Sequence, residues 1–168
     1  MRDIKNFNVH LLHCIHHGQQ LELNNDVVNA IMSMTFEEIK CAAVSESTYL
    51  MANDKTNEML ISSLDITLNS DYFSKKLVAS ECTIQAINYD FLATARHLAG
   101  RNIREAILRM GLTKSSAEHL LTLSRHGLKV LAHSTTGLIG TCVITEKLLK
   151  AKLNGGAFQH QFVSHAGR

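Results

Sequence analysis

Proline is absent from all 168 residues, and this absence constrains the fold more than any other feature of the sequence. Proline breaks helix interiors because it lacks an amide proton and clashes with the preceding turn. Helical spacing of apolar residues therefore continues without interruption, in a chain that is 45% hydrophobic. The sequence predicts an all-α fold that is long enough to bury a substantial core.

Targeting and redox signals are weak. The sequence has no apolar run long enough to cross a membrane, and its first residues, MRDIKNFN, lack the basic-then-apolar order of a signal peptide. We therefore expect a cytoplasmic protein without membrane contact. The four cysteines, which form no C-x-x-C pair, are expected to be free thiols: Cys14, Cys41, Cys82 and Cys142.

Charge is divided unevenly between two halves. Residues 1–89 contain six Lys and Arg against eleven Asp and Glu, whereas residues 90–168 contain eleven against four. A basic second half suggests a polyanion such as DNA, and an acidic first half suggests a protein contact. A solvated surface without any polyanion explains the same charges equally well.

The two halves also resemble each other. Phe7–Gly18 aligns with Ile87–Leu98 at an offset of 80, and Leu23–Ala43 aligns with Leu112–Ala132 at an offset of 89. We predict a duplication, with a degenerate first repeat over residues 1–63, a connection over 64–86, a second repeat over 87–152 and a flexible tail over 153–168. The alternative is two unrelated helical segments that share a 3.6-residue rhythm. The first repeat lacks most of Asn102–Met110.

Capping signals place several helix ends. Gly111 suits the left-handed position that closes a helix over residues 104–110, and Thr113 or Ser115 opens the next helix. Ser124 starts a further helix, and Thr35 with Glu38 forms a capping box in the first repeat.

The first helix carries an unusual polar face. At 100° per residue, His10, His13, Cys14 and His17 fall on one side of the helix, opposite Leu11, Leu12 and Ile15. Ligands along one helix face cannot surround a tetrahedral zinc ion, and no second His and Cys cluster is present, so we predict no metal in this chain. We assign this face to a subunit or repeat interface, leaving a metal site and a pH-sensitive contact as alternatives.

Residues 104–121 have the helix, glycine turn, helix order of a helix-turn-helix, although such helix pairs are more often plain core. Groove-reading residues would stand at the start of its second helix, and basic residues surround it. The predicted DNA-contacting set is Lys114, Ser115, Ser116, His119, Arg101, Arg104, Arg109, Arg125 and Lys129.

The segment Ile87–Ser134 resembles the FlhD family, the smaller subunit of the bacterial flagellar master activator. The family pattern is matched without a gap by Ile87-Asn88, then Leu92, Ala95 and Leu98, then Ala106, Leu108-Arg109-Met110-Gly111, Leu123-Ser124 and Leu131-Ala132. The first repeat, especially residues 23–54, is similar to the same family at fewer positions. The family step that precedes Gly111 carries an aromatic residue before its arginine, and here Leu108 replaces the aromatic.

The resemblance implies a subunit that dimerises through its helices and binds a larger, zinc-carrying FlhC-like partner. Together the two would engage promoter DNA and recruit RNA polymerase, in flagellar or conjugative regulation, with Arg109 at the promoter contact. Family members are single copies, whereas this chain would supply both repeats as an internal pseudo-dimer. We therefore add Phe91, Leu92 and Ala95 to the interface predicted for His10, His13, Cys14 and His17.

Catalytic motifs are missing from the sequence, which has no P-loop, G-x-S-x-G or H-E-x-x-H, so we predict no enzyme. The favoured hypothesis is an activator subunit within a hetero-oligomer, without a cofactor of its own. Its rival is an adaptor or anti-activator that mimics FlhD and occupies the partner without DNA. A third possibility, a histidine-rich metal sensor, would bind zinc through His13.

Overall fold

The computed structural model describes residues 2–19, 21–62 and 83–154. Within these ranges the chain forms nine helices and one two-stranded antiparallel sheet, so the predicted all-α fold is confirmed and only the small sheet was not foreseen. In chain order the elements are α1 (Arg2–His16), α2 (Asn25–Met32), α3 (Phe36–Ala42), β1 (Leu50–Met51), α4 (Asp54–Ser62), α5 (Ile84–Arg101), α6 (Ile103–Met110), α7 (Lys114–Thr122), α8 (Arg125–Ser134), β2 (Thr141–Cys142) and α9 (146–154).

Polar caps begin the helices where the sequence indicates. The Thr35 side chain accepts a hydrogen bond from the Glu38 amide, and the Glu38 carboxylate accepts one from the Thr35 amide, which completes the capping box of α3. Ser124 caps α8. At α7 the cap is Thr113, whose side chain accepts from the amide of Ser116, and not Ser115.

The predicted connection between the repeats and the predicted tail lie mostly outside the described residues. Residues 64–82 of the predicted connection and residues 155–168 of the predicted tail belong to that part of the chain. The remainder of the connection enters α5, which begins at Ile84 with Thr83 as its cap, and residues 153–154 of the tail complete α9.

A single cluster of buried apolar side chains runs through both halves of the chain. Helix α5 is its centre, since it packs against α1, α6, α7 and α8, while α1 also packs against α2 and α3. The fully buried side chains of Leu11 and Phe91 belong to this cluster. The core is therefore shared, and neither half buries its apolar surface alone.

Helix α1 is buried on more than one side, which differs from the predicted amphipathic arrangement. Leu11, Leu12 and Ile15 are fully buried, but so is Cys14 on the face that the sequence assigns as polar. The reason is that α1 lies between α5 on one side and α2 with α3 on another. Cys14 is thus a small core residue, and His17 is the exposed member of that face.

Helices α1 and α5 cross in antiparallel fashion. Asp3 is in the first turn of α1, and its Oδ2 lies 3.6 Å from His97 Nε2 and 3.7 Å from a guanidinium nitrogen of Arg101 at the end of α5. Near the middle of the crossing, His10 Nδ1 and Asp90 Oδ2 are 2.5 Å apart. This contact joins two residues that the sequence alignment pairs with each other at its offset of 80.

Two buried asparagines make corresponding hydrogen bonds in the two halves. Asn8 of α1 donates to the carbonyls of Ala43 and Ser47 and accepts from the amide of Tyr49. Asn88 of α5 donates to the Thr135 hydroxyl and the Gly137 carbonyl and accepts from the amide of Ile139. Each side chain is fully buried and fixes the segment that follows α3 or α8 to the first helix of its own half.

The short sheet joins the halves. Leu50 pairs with Cys142 and Met51 pairs with Thr141, so β1 of the first half lies antiparallel to β2 of the second. Of the helices in residues 2–19, 21–62 and 83–154, none has the length and apolar character that a membrane crossing requires.

Candidate nucleic-acid interface

The residues that the sequence assigns to DNA contact centre on the α6–α7 unit, which spans Ile103–Thr122. Asn102 forms the bend that separates it from α5: its amide donates to the Leu98 carbonyl, and its side chain accepts from the Arg104 amide. Helix α6 ends at Gly111, whose φ of 72° lies in the left-handed region. A Cβ atom at Gly111 would stand 2.7 Å from the Ala52 carbonyl oxygen, so a glycine is required both for conformation and for space.

The first half of the chain holds the end of α6. The amide of Thr48 donates to the Arg109 carbonyl at 3.0 Å, and the Ala52 amide donates to the Met110 carbonyl at 2.7 Å. The Thr48 hydroxyl, which lies 2.6 Å from the Leu50 carbonyl oxygen, is also 3.1 Å from the Arg109 carbonyl oxygen. Carbonyls in the last turn of a helix have no partner within it. Residues of the first half therefore supply hydrogen bonds that α6 cannot make for itself.

Asn57 of α4 spans the turn between α6 and α7. Its Nδ2 donates to the Gly111 carbonyl at 3.2 Å, and its Oδ1 accepts from the Thr113 amide at 2.9 Å. Its own carbonyl accepts from the hydroxyl of Ser116 at 3.2 Å. Asn57 is buried, with 6% of its surface exposed. It therefore connects Gly111, at the end of α6, to Thr113 and Ser116 at the start of α7.

The predicted DNA-contacting residues are not equally accessible. Ser116 is fully buried, with its hydroxyl bonded to Asn57 and Thr113, so it supports α7 and does not face solvent. Arg109 and His119 are half-buried. The exposed members are Arg101, Arg104, Lys114, Ser115, Arg125 and Lys129.

Intramolecular partners engage some of the basic groups. The Arg109 guanidinium donates to the Glu46 carbonyl at 3.1 Å and lies 3.8 Å from the Glu105 carboxylate. Lys114 forms an exposed pair with Glu118, and Arg101 forms one with Asp3. Such exposed pairs contribute about 0–1 kcal/mol each, so a phosphate can replace them at little cost.

Three basic side chains of the predicted DNA-contacting set remain without such a contact. In the part of the chain that the structure describes, Arg104, Arg125 and Lys129 are exposed and no carboxylate lies within ion-pair distance of them. They lie on α6 and α8, both of which pack on α5. These side chains are the best placed of the predicted set to meet a polyanion.

Leu108 is the most exposed large apolar side chain among the described residues, with 75% of its surface accessible. It stands four residues after Arg104 and so shares a face of α6 with that arginine. A leucine cannot stack on a base as an aromatic ring does, but it can contact an apolar surface of a protein. The outer face of α6 is therefore both basic and apolar.

The predicted interface residues lie within the chain. Phe91, Leu92 and Ala95 are fully buried in the core around α5, and the Phe91 ring meets the Phe7 ring edge-on at 5.9 Å. His10 contacts Asp90 across the crossing of α1 and α5, whereas His13 and His17 contact each other at 4.2 Å beside α3. Among the described residues, no group of three or more His, Cys, Asp or Glu is arranged to hold a metal ion.

Burial shifts the pKa values of two titratable side chains, Tyr49 and Cys142. Burial raises the pKa of Tyr49 to about 12, and the Tyr49 hydroxyl donates to the Ala42 carbonyl. Burial also raises the pKa of the Cys142 thiol, which disfavours the reactive thiolate. Neither group is placed as a nucleophile.

Sequence reasoning missed Thr48 and Asn57, the first-half residues that hold the α6–α7 unit. Asn57 gave one faint signal, since it lies three residues before Leu60 and so shares a helix face with that apolar residue. Its partners, however, lie more than fifty positions further along the chain, and periodicity within one helix carries no information about such contacts.

The fold and the site define an all-α protein that exposes basic side chains on short helices of its second half. Residues 74–165, more than half of the chain, match the family model described as "Flagellar transcriptional activator (FlhD)". The chain therefore belongs to the FlhD family, which is a family of transcriptional regulators and not of enzymes. The match includes α5 to α9, while α1 to α4 precede it. Searches of curated proteins and of solved structures found no match.

Proposed function

We propose that this chain is a cytoplasmic subunit of a transcriptional activator, which binds promoter DNA together with an FlhC-like partner and recruits RNA polymerase. The observation that carries the proposal is the FlhD family match across α5 to α9. The activator is a hetero-oligomer in this view, and its zinc belongs to the partner. The excess of basic residues in the second half supports contact with a polyanion.

The DNA contact proposed here rests first on Arg104, Arg125 and Lys129, which are exposed and form no ion pair with a carboxylate of the described residues. Arg101, Lys114 and Ser115 are secondary contributors, because the two cations must first exchange an exposed ion pair for a phosphate. Phosphate contacts of this kind position a protein on DNA without reading its sequence.

We further propose that the two repeats form an internal pseudo-dimer. In a twofold-symmetric pair, a contact between two residues recurs with the roles exchanged, and equivalent residues meet on the axis. The His10–Asp90 contact joins two residues that the alignment at offset 80 makes equivalent. The matching hydrogen bonds of Asn8 and Asn88 also support a duplication.

Titration of labelled promoter DNA with the chain, with and without a co-expressed FlhC-like protein, tests the activator proposal. We expect binding that weakens as salt rises, because phosphate contacts release counterions. Replacing Arg125 and Lys129 by glutamine should weaken binding and lower the slope of log affinity against log salt by about 1.8, at about 0.9 per lost contact. Lys55→Gln, an exposed lysine on α4, is the matched control and should change neither.

Absence of promoter binding at low salt, with and without the partner, would contradict the activator proposal. The adaptor or anti-activator would then be favoured, and the exposed Leu108 on α6 is the observation that supports this second candidate. Its signature is partner binding that is insensitive to salt and is lost in Leu108→Ser.

A further inference from the structure

We propose that the first half of the chain positions the α6–α7 unit of the second half, mainly through Asn57, so that each chain presents one such unit for binding. The DNA part of this inference rests on the proposed function. The positioning part rests on hydrogen bonds alone and can be tested without DNA.

The α6–α7 unit has only half a counterpart in the first half. There α1 ends at His16 and α2 begins at Asn25, and the described residues between them, 17–19 and 21–24, form no helix, whereas α6 fills the corresponding interval between α5 and α7. The contacts that α6 makes with β1 and with the residues flanking β1 therefore have no counterpart in the described part of the other half. The molecule has one place at which a ligand can meet both α6 and the start of α7.

Asn57 occupies a position where the other half carries an apolar residue. It is the fourth residue of α4, which follows β1, and Leu149 is the fourth residue of α9, which follows β2. Leu149 is buried and lines a groove with Ala30 and Met34, near the end of α2. An apolar side chain suffices there because no turn like that at Gly111 is present, so the amide of Asn57 is matched to the α6–α7 turn.

The hydrogen bonds of Asn57 fix the relation between the two helices. One side-chain amide binds the carbonyl at the end of α6 and the amide at the start of α7, and the Asn57 carbonyl accepts from the Ser116 hydroxyl in the first turn of α7. Removal of the side chain leaves the part-buried Gly111 carbonyl and Thr113 amide without these partners, which favours local opening of the turn. The exposed Arg104 and Lys114, on either side of this turn, would then lose their fixed separation.

The test compares two neighbouring residues of α4 in the full chain. Asn57→Ala removes the bridge to the turn. Thr56→Val is the matched control, because Thr56 is equally buried but its hydroxyl bonds to the Ile139 carbonyl and to Asn53, away from α6 and α7. We expect Asn57→Ala to speed hydrogen exchange of the Thr113 amide at least tenfold relative to amides of α5, and Thr56→Val to leave that ratio unchanged.

A conservative variant separates positioning from general destabilisation. Asn57→Asp keeps the acceptor for the Thr113 amide and loses the Nδ2 donor to the carbonyls of Gly111 and Asn53, so protection of Thr113 should largely persist. In parallel, affinity for a labelled mixed-sequence duplex at low salt should fall at least fivefold in Asn57→Ala and stay within twofold in Thr56→Val, at equal folded fraction.

Unchanged Thr113 protection in Asn57→Ala, or equal loss of protection in Thr56→Val, would overturn the positioning role. Faster exchange with unchanged duplex affinity would overturn the link between this position and binding. If the unaltered chain fails to bind any duplex, the proposed DNA function fails, and the exchange measurements still decide whether Asn57 positions the unit.

Discussion

At the residue scale, buried polar side chains connect parts of the chain that are far apart in sequence. Asn8, Asn57 and Asn88 are all nearly or fully buried, and each bonds to backbone groups of a loop or turn outside its own helix. Among the described residues, no buried side-chain nitrogen or oxygen lacks a hydrogen-bond partner. These amides therefore specify where loops lie, at little cost in desolvation.

Replacing Asn88 by alanine should lower the free energy of unfolding by about 1–3 kcal/mol, because the buried Ile139 amide loses its acceptor. Asn8→Ala should have a similar effect through the Tyr49 amide. Urea denaturation measures both. Asn29→Ala, at an exposed position of α2, is the control and should change stability by no more than about 0.5 kcal/mol. Equal effects of all three changes would contradict the role assigned to the buried amides.

Tyr49 should make the protein sensitive to alkali. Its pKa is about 12 in the folded protein against 10.0 as the ordinary value, because burial disfavours the phenolate. Stability from this group is complete below pH 10 and is lost as pH rises toward 12, by about 2–3 kcal/mol in all. Urea midpoints between pH 9 and 12 measure this slope. It should be shallower in Tyr49→Phe, and an unchanged slope in that variant would refute the assignment.

At the scale of secondary-structure elements, local sequence specified the helix ends well. The capping box of Thr35 and Glu38, the Ser124 cap and the left-handed Gly111 are all present, because capping depends on residues within one turn of each other. The Glu38 pKa is lowered, chiefly by the hydrogen bond from the Thr35 amide. Helix starts in this chain are thus fixed by local hydrogen bonds.

Gly111→Ala should destabilise the protein by more than about 1 kcal/mol, because alanine is strained at φ 72° and its Cβ would overlap the Ala52 carbonyl. Thermal or urea unfolding measures the change. Gly137→Ala is the matched control, since no atom lies within 4 Å of a Cβ placed there. A smaller loss of stability in Gly111→Ala than in Gly137→Ala would contradict the requirement for glycine in the turn after α6.

Contacts between elements could not be predicted from local pattern. The periodicity of α1 indicated one buried face, yet neighbours on two sides bury Cys14 as well. The pairing of β1 with β2 involves only two residues from each strand, and the strands are separated by some ninety positions in the sequence. Strands this short leave no alternating pattern from which a pairing could be predicted. The exposure of most of the predicted basic residues could be expected from the sequence because charged side chains are rarely buried, whereas the positions of Ser116 and Asn57 depend on tertiary contacts that only the fold supplies.

At the scale of the whole molecule, exposed charges of opposite sign lie on different halves of the chain. The exposed carboxylates of Glu37 and Asp54 lie on the first half, and the exposed cations Arg104, Arg125 and Lys129 lie on the second. The net charge of +2 hides this separation. A polyanion approaching the chain is attracted to one half and repelled by the other, which favours a single orientation of binding.

If α1 and α5 complete a pseudo-dimer within one chain, the isolated protein needs no second copy to cover that interface. Sedimentation equilibrium across micromolar concentrations should then give the mass of one chain, 18.7 kDa. Replacing Phe91, which contacts Phe7 in the crossing, by alanine should destabilise the fold by about 3–5 kcal/mol without changing the mass. A concentration-dependent dimer that dissociates in Phe91→Ala would mean that the crossing is not satisfied within one chain.

The hydrogen bonds from Thr48 and Ala52 to the last carbonyls of α6 have a consequence for how the protein denatures. Melting of β1 and its flanking residues would remove partners from α6, and melting of α6 would do the same to them. The halves are thus thermodynamically linked, and calorimetry should record one cooperative heat-absorption peak with equal calorimetric and van't Hoff enthalpies.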